Sequence, residues 1–399
     1  MAENSFRSAF HQAARGLAGV LALGALLLAV PAARAQGQSP TPATPPATAS
    51  ASSDVASTAL EIPGSPQAGP IGVSAHFLLS EGYLVAVPTG TAVLPANGTA
   101  IEVQQGFINT FSLSDSLLPL VDDPKRGHRI TPEEIVAGAP AGGRKLDYLV
   151  DGEVARTEIT ARRGIGYGVE LVAVLPVLHV GGGFLDGFIE GFHKTFDIKR
   201  SDRFAAQRDR YLVYLRSGDR RVVHEVEPGW GLGDLVLGAK VALPAKPAGF
   251  DLAAQGLLKL PTGDRDKLFS SGSADLGVEL LGSRPFTRAR LYFTLGAVRE
   301  GRWQDLGAQA ATVLSASAAY EHRFFRRSAA VVELAVSDSP LKGFGNAQLA
   351  EKTYILTLGW KQALAPTRSV YFAFNENLFN YDGTPDFGFF LGFVQRLGT

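Results

Sequence analysis

The run Asp234-Leu235-Val236-Leu237-Gly238-Ala239-Lys240-Val241-Ala242-Leu243 carries the fold in miniature. Leu235, Leu237, Ala239, Val241 and Leu243 make one wholly apolar face, while Asp234, Gly238 and Lys240 stand on the other. A repeat of two puts successive side chains on opposite sides of an extended backbone, so the run reads as a β-strand with one face in an apolar medium. The alternation returns in Ser273–Leu280, Arg290–Ala297, Val332–Ser337 and Thr353–Lys361. A soluble sheet crowds its polar face with Lys, Glu and Thr. Here that face is rich in Gly, Ala and Ser, with a few charges of both signs, which suits a barrel interior where small residues leave room for paired acids and bases.

Working outward, the pattern predicts twelve strands near 99–112, 146–160, 165–179, 233–244, 250–261, 273–283, 288–299, 311–322, 329–338, 351–362, 368–376 and 386–396. A tilted membrane strand needs about 9–11 residues, which these supply. The links at 161–164, 245–249, 284–287, 323–328 and 363–367 are short, and those between them are mostly longer. Outer-membrane barrels alternate in this way, with tight periplasmic turns and long external loops. In the last strand Phe387, Phe389, Leu391 and Phe393 alternate with Gly388, Phe390, Gly392 and Val394, and the aromatics suit membrane interfaces. The expected fold is all-β, a transmembrane antiparallel β-barrel of about 12 strands with one short helix in a long loop, occupying 69–399.

Residues 1–35 read as a signal peptide. Arg7 and Arg15 precede the unbroken Leu, Ala, Gly and Val run Leu17–Val30, and Ala33-Arg34-Ala35 supplies the small-x-small cleavage pattern, making Gln36 the expected mature start. The apolar run falls short of the ~20 residues of a membrane helix. Residues 36–68, rich in Pro, Ala, Ser and Thr, bury too little to offset their ordering entropy and are expected to be a disordered leader. The chain has no Cys, which excludes disulfides and thiolate metal sites, and its 38 basic residues balance 38 acidic ones, which argues against nucleic acid as a partner. Outside the signal segment no apolar run is long enough for a membrane helix, so an integral mature chain must be a closed barrel.

Several stretches resemble a known group: Gly183–Ile198 (GFLDGFIEGFHKTFDI), Gly233–Pro244 (GDLVLGAKVALP), Leu257–Leu281 (LLKLPTGDRDKLFSSGSADLGVELL), Asn375–Asn380 (NENLFN) and Pro385–Leu397 (PDFGFFLGFVQRL). Together they are similar to an uncharacterised proteobacterial family of outer-membrane proteins known only as a domain of unknown function. Lys259–Asp275 also resembles the outer-membrane barrels associated with phenol meta-pathway degradation. The resemblance runs from about residue 99 and implies an outer-membrane barrel. It implies no activity and transfers no site residue. The chain departs from the usual pattern by ending Leu397-Gly398-Thr399 rather than on an aromatic residue.

Three groups of residues carry chemistry. Asp186, Glu190 and His193 fall on one side of the helix expected over Gly183–Ile198, and a carboxylate with a His at i and i+3 can share a divalent cation. The plainer alternative is a polar stripe, with the apolar face packed into the barrel mouth. His179 followed by Gly181, Gly182 and Gly183 looks like a phosphate-binding turn, but Asp186 stands where the third glycine is needed, so a sharp chain reversal is expected. Asp234, Lys240, Asp251, Lys259, Asp275, Glu279, Arg290 and Glu333 face inward. They either pair with one another or line a water-filled path, since lone charges in a narrow lumen are costly. An enzyme in the barrel wall would use a Ser and one of His179, His193, His224 or His322, yet no Ser stands at a matching alternate position on a neighbouring strand. The expectation is a passive channel or transporter for small solutes, without cofactor. Its partners would be outer-membrane lipid and, during biogenesis, the barrel-assembly machinery. The alternatives are a structural or receptor-like barrel without flux and a lipid-modifying enzyme.

Overall fold

Because alternation sorts side chains onto two faces, a sheet built from it is stable only when each face meets a matching medium, and closure removes the unpaired edges. The structure, a computed structural model, describes residues 69–115, 146–187, 189, 191, 211–217, 220–222, 227–379 and 383–397. The expected signal peptide and leader lie outside these residues. The strands are β1 (Thr99–Leu113), β2 (Leu146–Gly166), β3 (Val169–Gly181), β4 (Leu212–Ser217), β5 (Arg220–Val222), β6 (Gly229–Leu232), β7 (Leu235–Leu243), β8 (Asp251–Leu260), β9 (Asp275–Pro285), β10 (Ala289–Arg299), β11 (Thr312–Phe325), β12 (Ser328–Ser337), β13 (Thr353–Ala365), β14 (Arg368–Asn377) and β15 (Phe387–Leu397).

The short strands β4 and β5 extend the sheet from the long-loop end of β2, and β6 from that of β3. The other twelve close into one antiparallel barrel. Strand β1 pairs with β15 on one side and β2 on the other, and β2 with β3 completes the ring. Each of the twelve falls on a strand expected from the alternation.

The faces sort as the alternation requires. Ile101 and Val103 on β1, Leu276, Val278 and Leu280 on β9, Phe293 and Leu295 on β10, Leu314 on β11, Val332 and Leu334 on β12, and Leu391 and Phe393 on β15 are exposed on the outer surface. Leu276 and Leu314 are each 58% exposed, far more than a water-facing core position tolerates. An apolar belt of this extent belongs in lipid. Near the short-turn rim, Tyr320, His322, Phe324 and Trp360 form an aromatic run, with Phe324 stacked on Trp360 at 6.1 Å.

One expectation needs correction. The turn between β2 and β3 is not at 161–164: β2 continues to Gly166, and Tyr167 (φ 54°) and Gly168 (φ 72°) make the reversal. Two consecutive positive φ values give a turn whose twist matches the flanking strands. Of the helix expected over Gly183–Ile198, Asp186, Gly187, Ile189 and Gly191 are described as helical, and the rest lies outside the described residues. Leu185 and Ile189 pack with Leu356, Phe374 and Phe387, whose side chains point outward, so the helix starts against the outside of the wall. Glu153 fixes that course by accepting hydrogen bonds from the backbone N–H groups of Phe184 (2.9 Å) and Leu185, at the orphan donors of a helix start. Gly183 (φ 69°) allows it, since a Cβ there would lie 1.8 Å from Glu153 Oε2.

Candidate functional site

The lumen holds a segment that the period-two pattern leaves unassigned. Residues 69–98 form no wall strand; they enter at the short-turn end, rise to the 3-10 turn Leu78–Ser80, and descend again to meet β1. The partners they meet trace this path. Gly69 N–H donates to Glu321 (3.1 Å) and its carbonyl accepts from Lys361, both near the short turns. Ile71 and Gly72 N–H groups donate to Glu333 halfway up. At the opposite end, Lys259 Nζ donates to Gly82 O (2.9 Å) and Leu84 N–H donates to Asp275 (2.8 Å). On the way down, Thr89 N–H meets Thr294 (3.2 Å), Thr91 shares a 2.7 Å hydrogen bond with Ser283, and Leu94 N–H donates to Glu170 (2.9 Å). A twelve-stranded barrel is wider than its own side chains can fill, and this hairpin takes up the difference.

The hairpin needs these partners because its backbone has no ladder to satisfy it, and a buried orphan N–H is costly. Its apolar side chains supply the rest. Ile71, Val73, Phe77, Leu78, Leu79 and Tyr83 belong to one buried cluster with Trp303, Leu306, Leu341 and Leu349 from loops folded over the long-loop end. Tyr83 and Trp303 meet edge to face at 5.4 Å.

Of the expected inward charges, Asp234, Lys240, Lys259, Asp275 and Glu333 pair with other inward charges or hold the hairpin. Lys259 lies 2.5 Å from Asp234 and 3.5 Å from Asp275, and all three are buried. Lys240 pairs with Glu170 at 3.0 Å and reaches Gly90 O at 3.4 Å. Glu279 is buried with neither carboxylate oxygen hydrogen-bonded. Asp251 pairs with the half-exposed Lys246 at the short-turn rim (2.9 Å), and Arg290 is half-buried near the same rim. Further inward charges were readable by the same rule: Glu102 with Arg162, and Arg156 with Glu158 (3.1 Å). Arg156 also takes Glu81 of the hairpin at 2.5 Å, a partner that no alternation could supply. Beyond the end of β10, burial and the nearby Asp275 carboxylate push the Glu300 carboxyl up to about 9, against the pull of Lys342 and Lys259.

The expected cation site is only partly visible. Asp186 is buried and accepts from Asn109 Nδ2 (3.0 Å), which also donates to Glu153, while Glu190 and His193 lie outside the described residues. The chain bends at Gly182 but does not reverse: it turns sideways over β2 and β1, where Phe184 meets Phe107 edge to face at 5.7 Å. His179 packs against Trp230 with ring centroids 4.9 Å apart and planes inclined at 54°, and His322 Nδ1 is 3.0 Å from the Tyr320 hydroxyl on the outer face; His224 lies outside the described residues.

Between the hairpin and the wall formed by β10–β13 a crevice of about 80 Å³ remains, room for several water molecules. It runs from Glu333 and Thr357 at mid-barrel to Pro340 and residues 383–385 at the long-loop end.

Comparison with known proteins places these features in context. The family described as "Protein of unknown function (DUF3187)" matches residues 143–397. No curated protein matches the chain. Among solved structures, the COG4313 outer membrane channel from Pseudomonas putida F1 is similar with a TM-score of 0.48 and 14% identity, over 79% of this chain and 100% of that one. The NanC porin is similar with a TM-score of 0.40 and 9% identity, over 74% of this chain and 98% of that one.

Proposed function

The chain belongs to the DUF3187 family of proteins of unknown function, and from that premise we propose that it is an outer-membrane channel for small solutes, with its lumen narrowed by its own N-terminal hairpin. The observation that carries this reading is the crevice left beside the hairpin inside a barrel with an apolar outer belt. In this reading residues 1–35 are removed on export, the short turns face the periplasm, and the loops at 261–274, 300–311 and 338–352 face outward. The channel turns over no substrate; the hairpin sets its bore, and the loops over the long-loop end set access.

The test is osmotic swelling of liposomes carrying the refolded protein, in isosmotic erythritol, ribitol and potassium chloride, after a heat-modifiable gel shift has confirmed folding. Entry of at least one of these solutes faster than into empty liposomes supports a channel. A folded barrel that admits none of them overturns the reading in favour of a structural or receptor-like barrel.

A further inference from the structure

The hairpin separates a strongly charged part of the lumen from a crevice with a single ionisable side chain in its lining. On one side lie the ionic groups of β1, β2, β3 and β7, Glu102, Arg156, Glu158, Arg162, Glu170 and Lys240, of which Arg156, Glu170 and Lys240 bond the hairpin. On the other it faces the crevice, where Glu333 is the one ionisable side chain among the lining residues, and that carboxylate is taken up by the Ile71 and Gly72 N–H groups. The hairpin lines the crevice with Val73, Phe77, Val85 and Val87, while the wall lines it with Ser315, Ser317, Thr353 and Thr357. The Ser337 and Thr353 hydroxyls bond each other at 2.8 Å.

We infer that the crevice binds small uncharged molecules that are apolar on one side and carry hydrogen-bonding groups on the other, and that it discriminates against ions. The inference rests on the channel reading and names the solute class of its path. An anion entering the crevice leaves water without meeting a cation among the lining residues, and a cation meets only Glu333, whose carboxylate already accepts the Ile71 and Gly72 N–H groups. Burial of a poorly paired ion is far more costly than burial of a hydrogen-bonded neutral group. An amphipathic neutral solute loses little, because its apolar side meets the valines of the hairpin and its polar side meets the hydroxyls of the wall.

The chain has no Cys, so a single introduced thiol is uniquely addressable. Ser317→Cys and Thr357→Cys place that thiol in the crevice, and Gln304→Cys on an exposed loop serves as the control. Each refolded variant, checked by its gel shift, is treated with a neutral alkyl methanethiosulfonate and with its sulfonate- and trimethylammonium-bearing counterparts. The expected result is a neutral-to-charged rate ratio at both crevice positions at least tenfold above that at Gln304→Cys. Butane-1,2-diol is expected to slow crevice labelling, and butyrate to leave it unchanged. Equal ratios at crevice and loop would overturn the inference, as would failure of the neutral reagent at both crevice positions. Swelling separates this outcome from that of the channel reading. Selective labelling without flux removes the channel and keeps the ligand class, whereas flux without selectivity does the reverse.

Discussion

Replacing Lys259 by methionine should loosen the tip of the lumen hairpin and destabilise the barrel by about 3–5 kcal/mol, the range for removing one partner of a buried ion pair. Its ammonium donates to Asp234 Oδ2 (2.5 Å), Gly82 O (2.9 Å) and Ser273 O (3.0 Å), and is 2% exposed. The substitution leaves two buried carboxylates and leaves the Gly82 carbonyl with only the longer bond from the Ser271 N–H (3.3 Å). Neither acid becomes wholly orphaned: Asp275 keeps the N–H groups of Leu84 and Gly301, both at 2.8 Å, and Asp234 keeps that of Gly263 at 2.8 Å. The cost should therefore fall near 3 kcal/mol. Adding Asp234→Asn and Asp275→Asn removes the unbalanced charge and should recover at least half of it. Denaturant unfolding in detergent, followed through Trp303 fluorescence beside Tyr83, measures the loss, and hydrogen exchange at the Leu84 amide locates it. A loss under about 1 kcal/mol with Leu84 protection unchanged would refute the claim that this cluster anchors the hairpin.

Three further outcomes follow from the same contacts. Glu300, held near 9 in the folded protein against a usual value of 4.5, binds a proton that the unfolded chain releases; stability should fall as pH rises from about 4.5 to about 9 and then level off. The slope is at most about 1.4 kcal/mol per pH unit, and unfolding of Glu300→Gln measured at pH 6 and pH 8 should show it flattened relative to the parent. Gly392→Ala would set a Cβ 2.0 Å from Tyr371 Cζ, inside the chain in which Gln104 donates to the Tyr371 hydroxyl and that hydroxyl donates to Glu102. It should cost about 1–3 kcal/mol, read as a lowered unfolding midpoint. Glu333→Ala removes the acceptor of the Ile71 and Gly72 N–H groups. A loss on the order of 2 kcal/mol is expected at the hairpin base, with faster exchange of those amides and faster liposome swelling; unchanged exchange would count against Glu333 as its anchor.

The sequence by itself determined the twelve wall strands and which of their residues face inward. Side-chain alternation is a property of neighbouring residues, so Asp234 to Leu243 reveals its two faces without knowledge of any partner strand. Even there the β2–β3 turn escaped, because Tyr167 and Gly168 carry a weaker signal than the Gly164 on which the expected link ended. The lumen hairpin was decided only by tertiary structure. Its hydrogen bonds go to side chains far along the chain: Leu94 to Glu170 is 76 residues away and Ile71 to Glu333 is 262. No local repeat encodes such contacts, although the apolar stretches around Phe77–Leu79 and Tyr83–Val87, outside every expected strand, needed a place to be buried. The inward charges were therefore legible as charges, but not as anchors. The helix after β3 was legible as a helix, yet its path over the outer wall depends on Glu153 reaching the N–H groups of Phe184 and Leu185. That contact exists only once β2 has been placed beside β3, because a side chain can satisfy a distant backbone donor only after closure of the barrel brings the two within hydrogen-bond reach.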